Sequence, residues 1–200
     1  MVPGRVEPEL WHEPIARYYF ALQFADGKAV LDAGCGTGYG LALLAERASA
    51  ALGFDISEEA IEYARHHYAE RARFLVGAAD QFPVEGQSQD LVTAFEVIEH
   101  IERWPRLIEE AHRVLRDDGL FLVSTPNKVY YSEARAEIGP NPFHVHEFEH
   151  QEFFEVLNRV FPYVTLVAQN RQEAFVFANE GSGSALSGQL AMGGDSTGAH

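Results

Sequence analysis

Three glycines in alternate positions directly follow a short apolar run, and this feature constrains the fold more than any other in the sequence. The apolar run at 29–31 is followed by Asp32, by glycines at 34, 36 and 38, and by a helix-like apolar segment at 41–47. Glycine is favoured where the backbone takes a positive φ or where a ligand approaches without an intervening Cβ. The pattern predicts a buried strand, a tight turn and a helix whose amino end points free N–H groups at a ligand.

The acidic residue at the end of this strand distinguishes between two classes of cofactor. The dinucleotide fingerprint is G-x-G-x-x-G, and its third glycine packs the helix against the strand. Here the position three after Gly36 holds Tyr39, which is not a small residue. A carboxylate at Asp32 would repel a pyrophosphate but suits a ligand with a positive charge. The pattern favours a cationic ligand, and a tight turn that binds no ligand is the alternative.

Two later carboxylates argue against a turn without a ligand. Asp55 ends the next apolar stretch, where it can accept hydrogen bonds from both hydroxyls of a ribose. Asp80 follows a third strand-like run, where it can accept a hydrogen bond from an adenine amino group. Because open α/β sheets bind ligands at the carboxyl ends of their strands, we expect Asp32, Asp55 and Asp80 to line one edge of a sheet.

On these residues the chain resembles the class I S-adenosylmethionine-dependent methyltransferases, over roughly residues 10 to 180. The matching segments lie in order at 30–38, 53–57, 79–83, 90–100 and 115–127. The resemblance implies an α/β fold with a doubly wound, mostly parallel seven-stranded sheet and an antiparallel edge hairpin, the Rossmann-like methyltransferase fold. It also implies S-adenosylmethionine as the cofactor. Among these enzymes, the chain is similar to the ubiquinone-biosynthesis O-methyltransferase group.

The resemblance assigns cofactor contacts to residues of this chain. The first turn would hold the methionine part, Asp55 the ribose, and Asp80 with Gln81 the adenine, while Phe95 and Glu96 would flank the cofactor. The predicted cofactor-binding set is Tyr18, Asp32, Ala33, Gly34, Cys35, Gly36, Thr37, Gly38, Asp55, Ile56, Asp80, Gln81, Phe95 and Glu96.

Tyr18 belongs to an amino-terminal segment that we interpret as a lid helix over the cofactor. In this interpretation Arg17 or Tyr18 touches the methionine carboxylate. The alternative is that Tyr18, Tyr19 and Phe20 bury against the sheet.

Methyl transfer to a hydroxyl, a phenol or a protonated amine needs a general base. His100 follows the fourth strand, and His144 and His146 lie in a long loop, so we predict these three histidines as catalytic candidates. His144 and His146 alternate, so in an extended loop they point to opposite sides and at most one faces the cofactor.

A divalent-metal site is a further hypothesis, with Glu96, Glu99, His100 and His146 as ligands, because carboxylates and imidazoles suit Mg²⁺ or Mn²⁺. The pattern is similar to that of the ubiquinone-biosynthesis O-methyltransferases and of the small-RNA 2′-O-methyltransferases. Relatives that need no metal also carry Glu-x-x-Glu-His. The interpretation favoured here has Glu96 on the cofactor, Glu99 capping a helix and His100 packed below the pocket.

The rest of the sequence alternates between helical and strand-like segments. Helices are predicted after Ser57, from Pro105 and over 151–161, and strands over 90–95, 120–124, 164–168 and 174–178, the last two forming the edge hairpin. A loop is predicted over 125–147. The predicted organisation is an amino-terminal lid segment at 1–27, a cofactor-binding domain at 28–180 and a flexible or truncated tail at 181–200.

Composition narrows the choice of partner. The formal net charge is -15, and the lysines are Lys28 and Lys128 alone, which disfavours polymeric nucleic acid and anionic membranes. The single cysteine, Cys35, cannot form an internal disulfide, so a reducing cytoplasm is expected and the thiol is interpreted as a small apolar filler.

The predicted function is methyl transfer to a small-molecule acceptor, at oxygen. The alternative is a non-catalytic domain that binds S-adenosylmethionine or its product. The oligomeric state is left open.

Overall fold

A parallel sheet organises the chain, which is described over residues 8–169 in a computed structural model, apart from the side chains of 8–11, 133 and 134. Residues 8–167 lie in one compact unit. The strands are β1 (Ala29–Ala33), β2 (Ala50–Asp55), β3 (Arg73–Val76), β4 (Gln89–Phe95) and β5 (Leu115–Ser124). They pair in parallel in the order β3-β2-β1-β4-β5. The order reverses between β1 and β4, which makes the carboxyl end of β1 the expected place for a ligand.

Helices cover both faces of this sheet, as a doubly wound fold requires. They are α1 (Pro8–Ala21), α2 (Tyr39–Leu44), α3 (Glu58–Tyr68), α4 (Trp104–Val114), α5 (Lys128–Ala134) and α6 (His150–Asn158). Short 3-10 turns occur at Leu22–Phe24 and Ile98–His100. Within residues 8–169, no helix is both long and apolar enough to cross a membrane.

The two faces of the sheet have separate apolar cores because strand side chains alternate in direction. Leu31 and Val92 pack with residues of α4 and α6 on one face. Val30 and Leu91 pack with residues of α1, α2 and α3 on the other. Buried aliphatic side chains on both sides explain why β1 and β4 read as nearly continuous apolar runs.

Side-chain caps mark the starts of two helices. The Ser57 side chain accepts a hydrogen bond from the backbone N–H of Ala60 at 3.2 Å, which caps α3 as the sequence predicts. At α6, which starts at His150, Glu149 and Glu152 form a reciprocal capping box. This helix begins one residue before the predicted range of 151–161 and ends three residues before the end of that range, at Asn158.

Three sequence predictions differ from the structure. Residues 164–168 form no strand, and 174–178 lie outside the described residues, so the antiparallel hairpin and the seven-stranded sheet are not confirmed. Alternating side chains cannot make a strand without a hydrogen-bonding neighbour. The segment 125–147 contains α5 and is not a continuous loop. The predicted tail at 181–200 also lies outside the described residues.

The start of β5 is the third difference. The strand begins at Leu115 and not at Leu120, because Leu115 already pairs with Gln89. The register shifts between Gln89 and Leu91. Turn-forming residues at 117–119 therefore mark an irregularity within the strand and not its beginning.

Candidate active site

The turn after β1 has the backbone conformation that the glycine pattern predicts. Gly34, Gly36 and Gly38 have φ values of 72°, 52° and 82°. A Cβ on Gly34 would lie 2.5 Å from Val97, and one on Gly38 would lie 2.7 Å from Phe74. Nothing lies within 4 Å of a Cβ built on Gly36. The packing of the chain requires the outer glycines, whereas Gly36 borders open space where a ligand can approach.

The N–H groups at the start of this turn are bonded within the protein. Gly34 and Cys35 both donate to the carbonyl of Phe54, at 2.8 and 3.0 Å. Gly36 donates to a carboxylate oxygen of Asp55 at 2.9 Å. The free donors that the sequence predicts belong to the amino end of α2, which starts at Tyr39, so these bonds leave that prediction open. The bonds hold the turn between the ends of β1 and β2.

Ala33, Cys35 and Thr37 complete the first turn, and the side chains of all three are buried. Burial raises the pKa of the Cys35 thiol well above its usual range. A buried thiol that stays protonated is a poor nucleophile. Cys35 therefore serves as the small apolar filler that the sequence predicted.

Asp55 is held so that it can accept further hydrogen bonds. Its two oxygens accept from the backbone N–H groups of Gly36 and Ser57, each at 2.9 Å. A carboxylate has about four lone-pair sites, so each oxygen keeps acceptor capacity for a diol. The neighbouring Ile56 is 77% exposed. An apolar side chain so open beside this carboxylate suits contact with the flat face of a nucleobase.

Asp32 lies behind the turn. It is buried, and its oxygens accept hydrogen bonds from the hydroxyls of Tyr18 at 3.0 Å and Thr93 at 2.6 Å. Burial raises the pKa of Asp32 to about 7, although both hydrogen bonds favour the ionised form. Asp32 can therefore act on a ligand by its charge through a poorly screened interior.

The amino-terminal helix α1 is anchored to this part of the molecule by one aromatic residue. Tyr18 is buried, and its ring fills the space that a Cβ on Gly40 would occupy. Tyr19 and Phe20 are 59% and 43% exposed, so the alternative in which all three bury is wrong for these two. The Arg17 guanidinium lies 3.6 Å from the Glu96 carboxylate. The helix thus reaches residues at the ends of both β1 and β4.

Glu96 follows β4 in a conformation that residues other than glycine rarely adopt. Its φ is 57°. The Ser124 hydroxyl donates to a Glu96 carboxylate oxygen at 2.7 Å, and the Glu96 N–H donates to the Ser124 hydroxyl at 3.2 Å. Such backbone strain in a held residue is typical of functional sites. Its neighbour Phe95 packs edge-on against Tyr18, with ring centroids 5.1 Å apart.

A cluster of three side chains lies beyond Glu96. One ligand atom each from Glu99, His100 and His144 lies within 4.8 Å of the others. Glu99 is 1% exposed, and its Oε2 atom has no hydrogen-bond partner in the described part of the chain. Burial and the nearby charge of Glu96 raise the pKa of Glu99 to about 8. Glu99 lies within a 3-10 turn and does not cap a helix as the sequence suggested.

His144 is the better oriented histidine of this cluster. Its Nδ1 lies 3.2 Å from the Glu147 carboxylate, and its ring stacks on Tyr131 with centroids 5.0 Å apart. Because a carboxylate only accepts, Nδ1 donates and Nε2 is left as the basic nitrogen. His100 has its Nδ1 2.8 Å from the carbonyl of Phe143. The two imidazole rings are 4.9 Å apart.

His146 lies in a different environment. Its Nε2 is 2.9 Å from the Glu152 carboxylate of α6, and its ring packs 4.4 Å from that of Phe148. The expectation that His144 and His146 diverge is met. The structure brings the side chain of His144, and not that of His146, to Glu99 and His100, although the backbone N–H of His146 donates to the carbonyl of Glu99 at 3.2 Å. In the predicted metal set, Glu96 is bonded to Ser124 instead of joining the cluster.

Asp80 has a partner that sequence reasoning missed. The Arg103 guanidinium donates two hydrogen bonds to one oxygen of Asp80, at 3.0 and 2.5 Å. No spacing rule links residues 23 positions apart, so the sequence held no signal for this pair. Gln81 is exposed, and its N–H donates to the carbonyl of Ala78 at 3.1 Å.

Comparisons with known proteins show which proteins this chain resembles. Residues 31–123 match the family described as a methyltransferase domain. The chain is 37% identical over 159 residues to a "probable S-adenosylmethionine-dependent methyltransferase" of Mycolicibacterium smegmatis, covering 78% of this chain and 60% of that one. It is 33% identical over 109 residues to a ubiquinone biosynthesis O-methyltransferase of Idiomarina loihiensis, covering 51% and 44%. The chain thus spans less than two thirds of either relative.

A solved structure shows the same fold. The PH0226 protein of Pyrococcus horikoshii superposes with a TM-score of 0.66 at 22% identity, over 78% of this chain and 82% of that one. The match over residues 31–123 and the names of the relatives make the chain similar to S-adenosylmethionine-dependent methyltransferases, and the likeness to PH0226 shows a shared fold.

Proposed function

We propose that this chain transfers the methyl group of S-adenosylmethionine to an oxygen atom of a small-molecule acceptor. The observation that carries the choice of oxygen is the His144–Glu147 pair, at 3.2 Å, beside His100. A hydroxyl acceptor must lose a proton, and an imidazole oriented by a carboxylate is a suitable general base. A domain that only binds the cofactor has no need of an oriented base.

Four residues of the predicted set fit the cofactor on structural grounds. Gly36 borders open space, Asp55 keeps free acceptor sites, and Ile56 offers an exposed apolar surface. Asp80 uses one oxygen for Arg103, which leaves the other for an adenine amino group. When bound, S-adenosylmethionine supplies a methyl group already activated on a sulfonium. The protein's remaining tasks are to align the acceptor, exclude water and take up a proton.

The proton is assigned to Nε2 of His144. Glu147 keeps Nδ1 protonated, so that Nε2 carries the lone pair. Proton uptake makes the ring an imidazolium, and the Glu147 carboxylate stabilises this charge. Val145 N–H donates to the carbonyl of Glu99 at 2.8 Å, which fixes the loop that carries His144 to the end of β4. The proton then passes from the imidazolium to solvent.

A metal-assisted form of the same reaction is the second candidate. The buried Glu99 Oε2 atom without a partner, together with His100 and His144, favours it. A divalent cation there would neutralise Glu99 and polarise an acceptor hydroxyl. Binding of Mn²⁺ to the purified protein, followed by electron paramagnetic resonance, tests this directly. The metal candidate expects His144→Ala to abolish binding and His146→Ala to preserve it; no binding by the wild type rules it out.

The net charge and the cysteine content indicate the class of acceptor and the compartment. The net charge of -15 disfavours polymeric nucleic acid as the acceptor, and the single cysteine is consistent with a reducing cytoplasm. We therefore place the acceptor among small metabolites of that compartment.

The experiment that tests the proposal traces the methyl group. The protein is incubated with S-adenosylmethionine carrying a trideuterated methyl group and with a metabolite extract of its source cells. The proposal expects the label in a small hydroxylated compound as a methyl ether, with S-adenosylhomocysteine formed in equal amount. Label in protein, in nucleic acid, or on nitrogen or carbon contradicts it.

A further inference from the structure

The segment after β3 is bonded to the α4 side of the molecule at two points. The first is Asp80. Both Nε and Nη2 of Arg103, the residue before α4, donate to Oδ2 of Asp80. Because the two donors share one oxygen, Arg103 holds the carboxylate without using Oδ1.

The second point lies two residues further on. The N–H of Phe82 donates to the Glu110 carboxylate at 2.8 Å, and Glu110 is 5% exposed. Arg113 binds both oxygens of Glu110, at 2.8 and 2.7 Å, and also donates to the carbonyl of Val84 at 3.1 Å. This bidentate pair fixes the backbone that follows Asp80.

The exposure of the Arg103–Asp80 pair indicates that the pair orients the Asp80 carboxylate and adds little to the stability of the protein. The Arg103 side chain is 71% exposed and that of Asp80 is 20% exposed. Exposed ion pairs contribute little to the free energy of unfolding. A carboxylate already held in one rotamer, however, loses less conformational entropy when it accepts a hydrogen bond from a ligand.

We propose that Arg103 is a positioning residue for adenine recognition: it holds Asp80 through Oδ2 so that Oδ1 accepts from the 6-amino group of the cofactor. This inference rests on the proposed function, which assigns the adenine to Asp80. Arg103 itself does not touch the cofactor. Its effect is expected in the discrimination between bases and not in overall stability.

The test compares two ligands by titration calorimetry. One is S-adenosylhomocysteine, and the other is its analogue with hydrogen in place of the 6-amino group. The variants are Arg103→Ala, Arg103→Lys and, as a matched control, Arg116→Ala. The Arg116 side chain is 45% exposed and is paired with Asp90 at 2.6 Å. This pair lies at the opposite end of β4 from the predicted cofactor site.

The wild type is expected to prefer S-adenosylhomocysteine by about tenfold, which is typical of one hydrogen bond to a charged group. Arg103→Ala should reduce this preference to about threefold or less, Arg103→Lys should retain part of it, and Arg116→Ala should keep it. A merely structural role would weaken both ligands alike.

Two results overturn the inference and leave the proposed function intact. In one, Arg103→Ala keeps the wild-type preference. In the other, the wild type binds both ligands equally. If the wild type binds neither ligand, the proposed function fails as well.

Discussion

The Tyr18 hydroxyl donates a hydrogen bond of 3.0 Å to the buried carboxylate of Asp32, which joins α1 to the end of β1. The ring of the same tyrosine packs edge-on against Tyr39 and Phe95, with centroids 5.6 and 5.1 Å away. One residue of α1 therefore contacts α2, the end of β4 and the buried carboxylate of Asp32.

Removing this hydroxyl should raise the pKa of Asp32, because the Tyr18 hydrogen bond favours the ionised carboxylate. We expect Tyr18→Phe to lower the free energy of unfolding by about 1 kcal/mol, measured by urea denaturation at pH 7.5. Tyr19→Phe is the matched control, since Tyr19 is 59% exposed. Equal stabilities of the two variants would mean that the hydrogen bond contributes nothing.

Asp32 should make the stability of the protein depend on pH. Its pKa is about 7 when folded, against an ordinary value of 3.8, so the folded protein binds a proton that the unfolded chain has released. The stability contribution is complete below pH 3.8 and is lost as the pH rises to about 7. Between pH 5 and 8, wild type should lose about 2 to 3 kcal/mol relative to Asp32→Asn. Urea denaturation curves at both pH values give this difference, and a constant difference contradicts the raised pKa.

Asp55→Ala should weaken the binding of S-adenosylhomocysteine. The ribose hydroxyls would lose a charged acceptor, at roughly 1.5 to 3 kcal/mol for each hydrogen bond. Titration calorimetry measures the affinity. Asp90→Ala serves as the comparison, because Asp90 lies at the opposite end of β4 and binds Arg116 at 2.6 Å. Unchanged affinity in Asp55→Ala would remove this residue from the ribose site.

The two loop histidines should differ in their effect on turnover. We expect His144→Gln to reduce the rate of S-adenosylhomocysteine formation, in the assay with labelled cofactor and extract, by about 10²-fold or more. His146→Gln should be close to wild type, because His146 is paired with Glu152 and packed beside Phe148. Calorimetry should show the same cofactor affinity in both variants. The reverse order of rates would assign the base to His146.

The local part of the site could be predicted from the sequence because its contacts join residues close in the chain or at successive strand ends. The positive φ values at Gly34, Gly36 and Gly38 and the position of Asp55 at the end of β2 belong to this part. Each depends on strand–turn–helix geometry, which a short stretch of sequence determines.

The remaining contacts of the site could not be predicted, because they join elements that are distant in the sequence. The segment that carries His144 is held to the Glu99 carbonyl by the backbone N–H groups of Val145 and His146, and the Arg103–Asp80 pair crosses between two loops. The predicted hairpin of 164–168 and 174–178 is not confirmed, because its second segment lies outside the described residues. Contacts between such loops produce no periodic pattern in the sequence from which they could be predicted.

The central claim is that the carboxyl edge of this sheet binds a cationic nucleoside amino acid and not a diphosphate. Titration calorimetry of the protein with S-adenosylmethionine and, separately, with NADH tests it most directly. The account predicts one molecule of S-adenosylmethionine bound per chain, with proton release below pH 7 because a cationic ligand favours ionised Asp32, and no binding of NADH. Saturable binding of NADH, with no heat from S-adenosylmethionine, would contradict it.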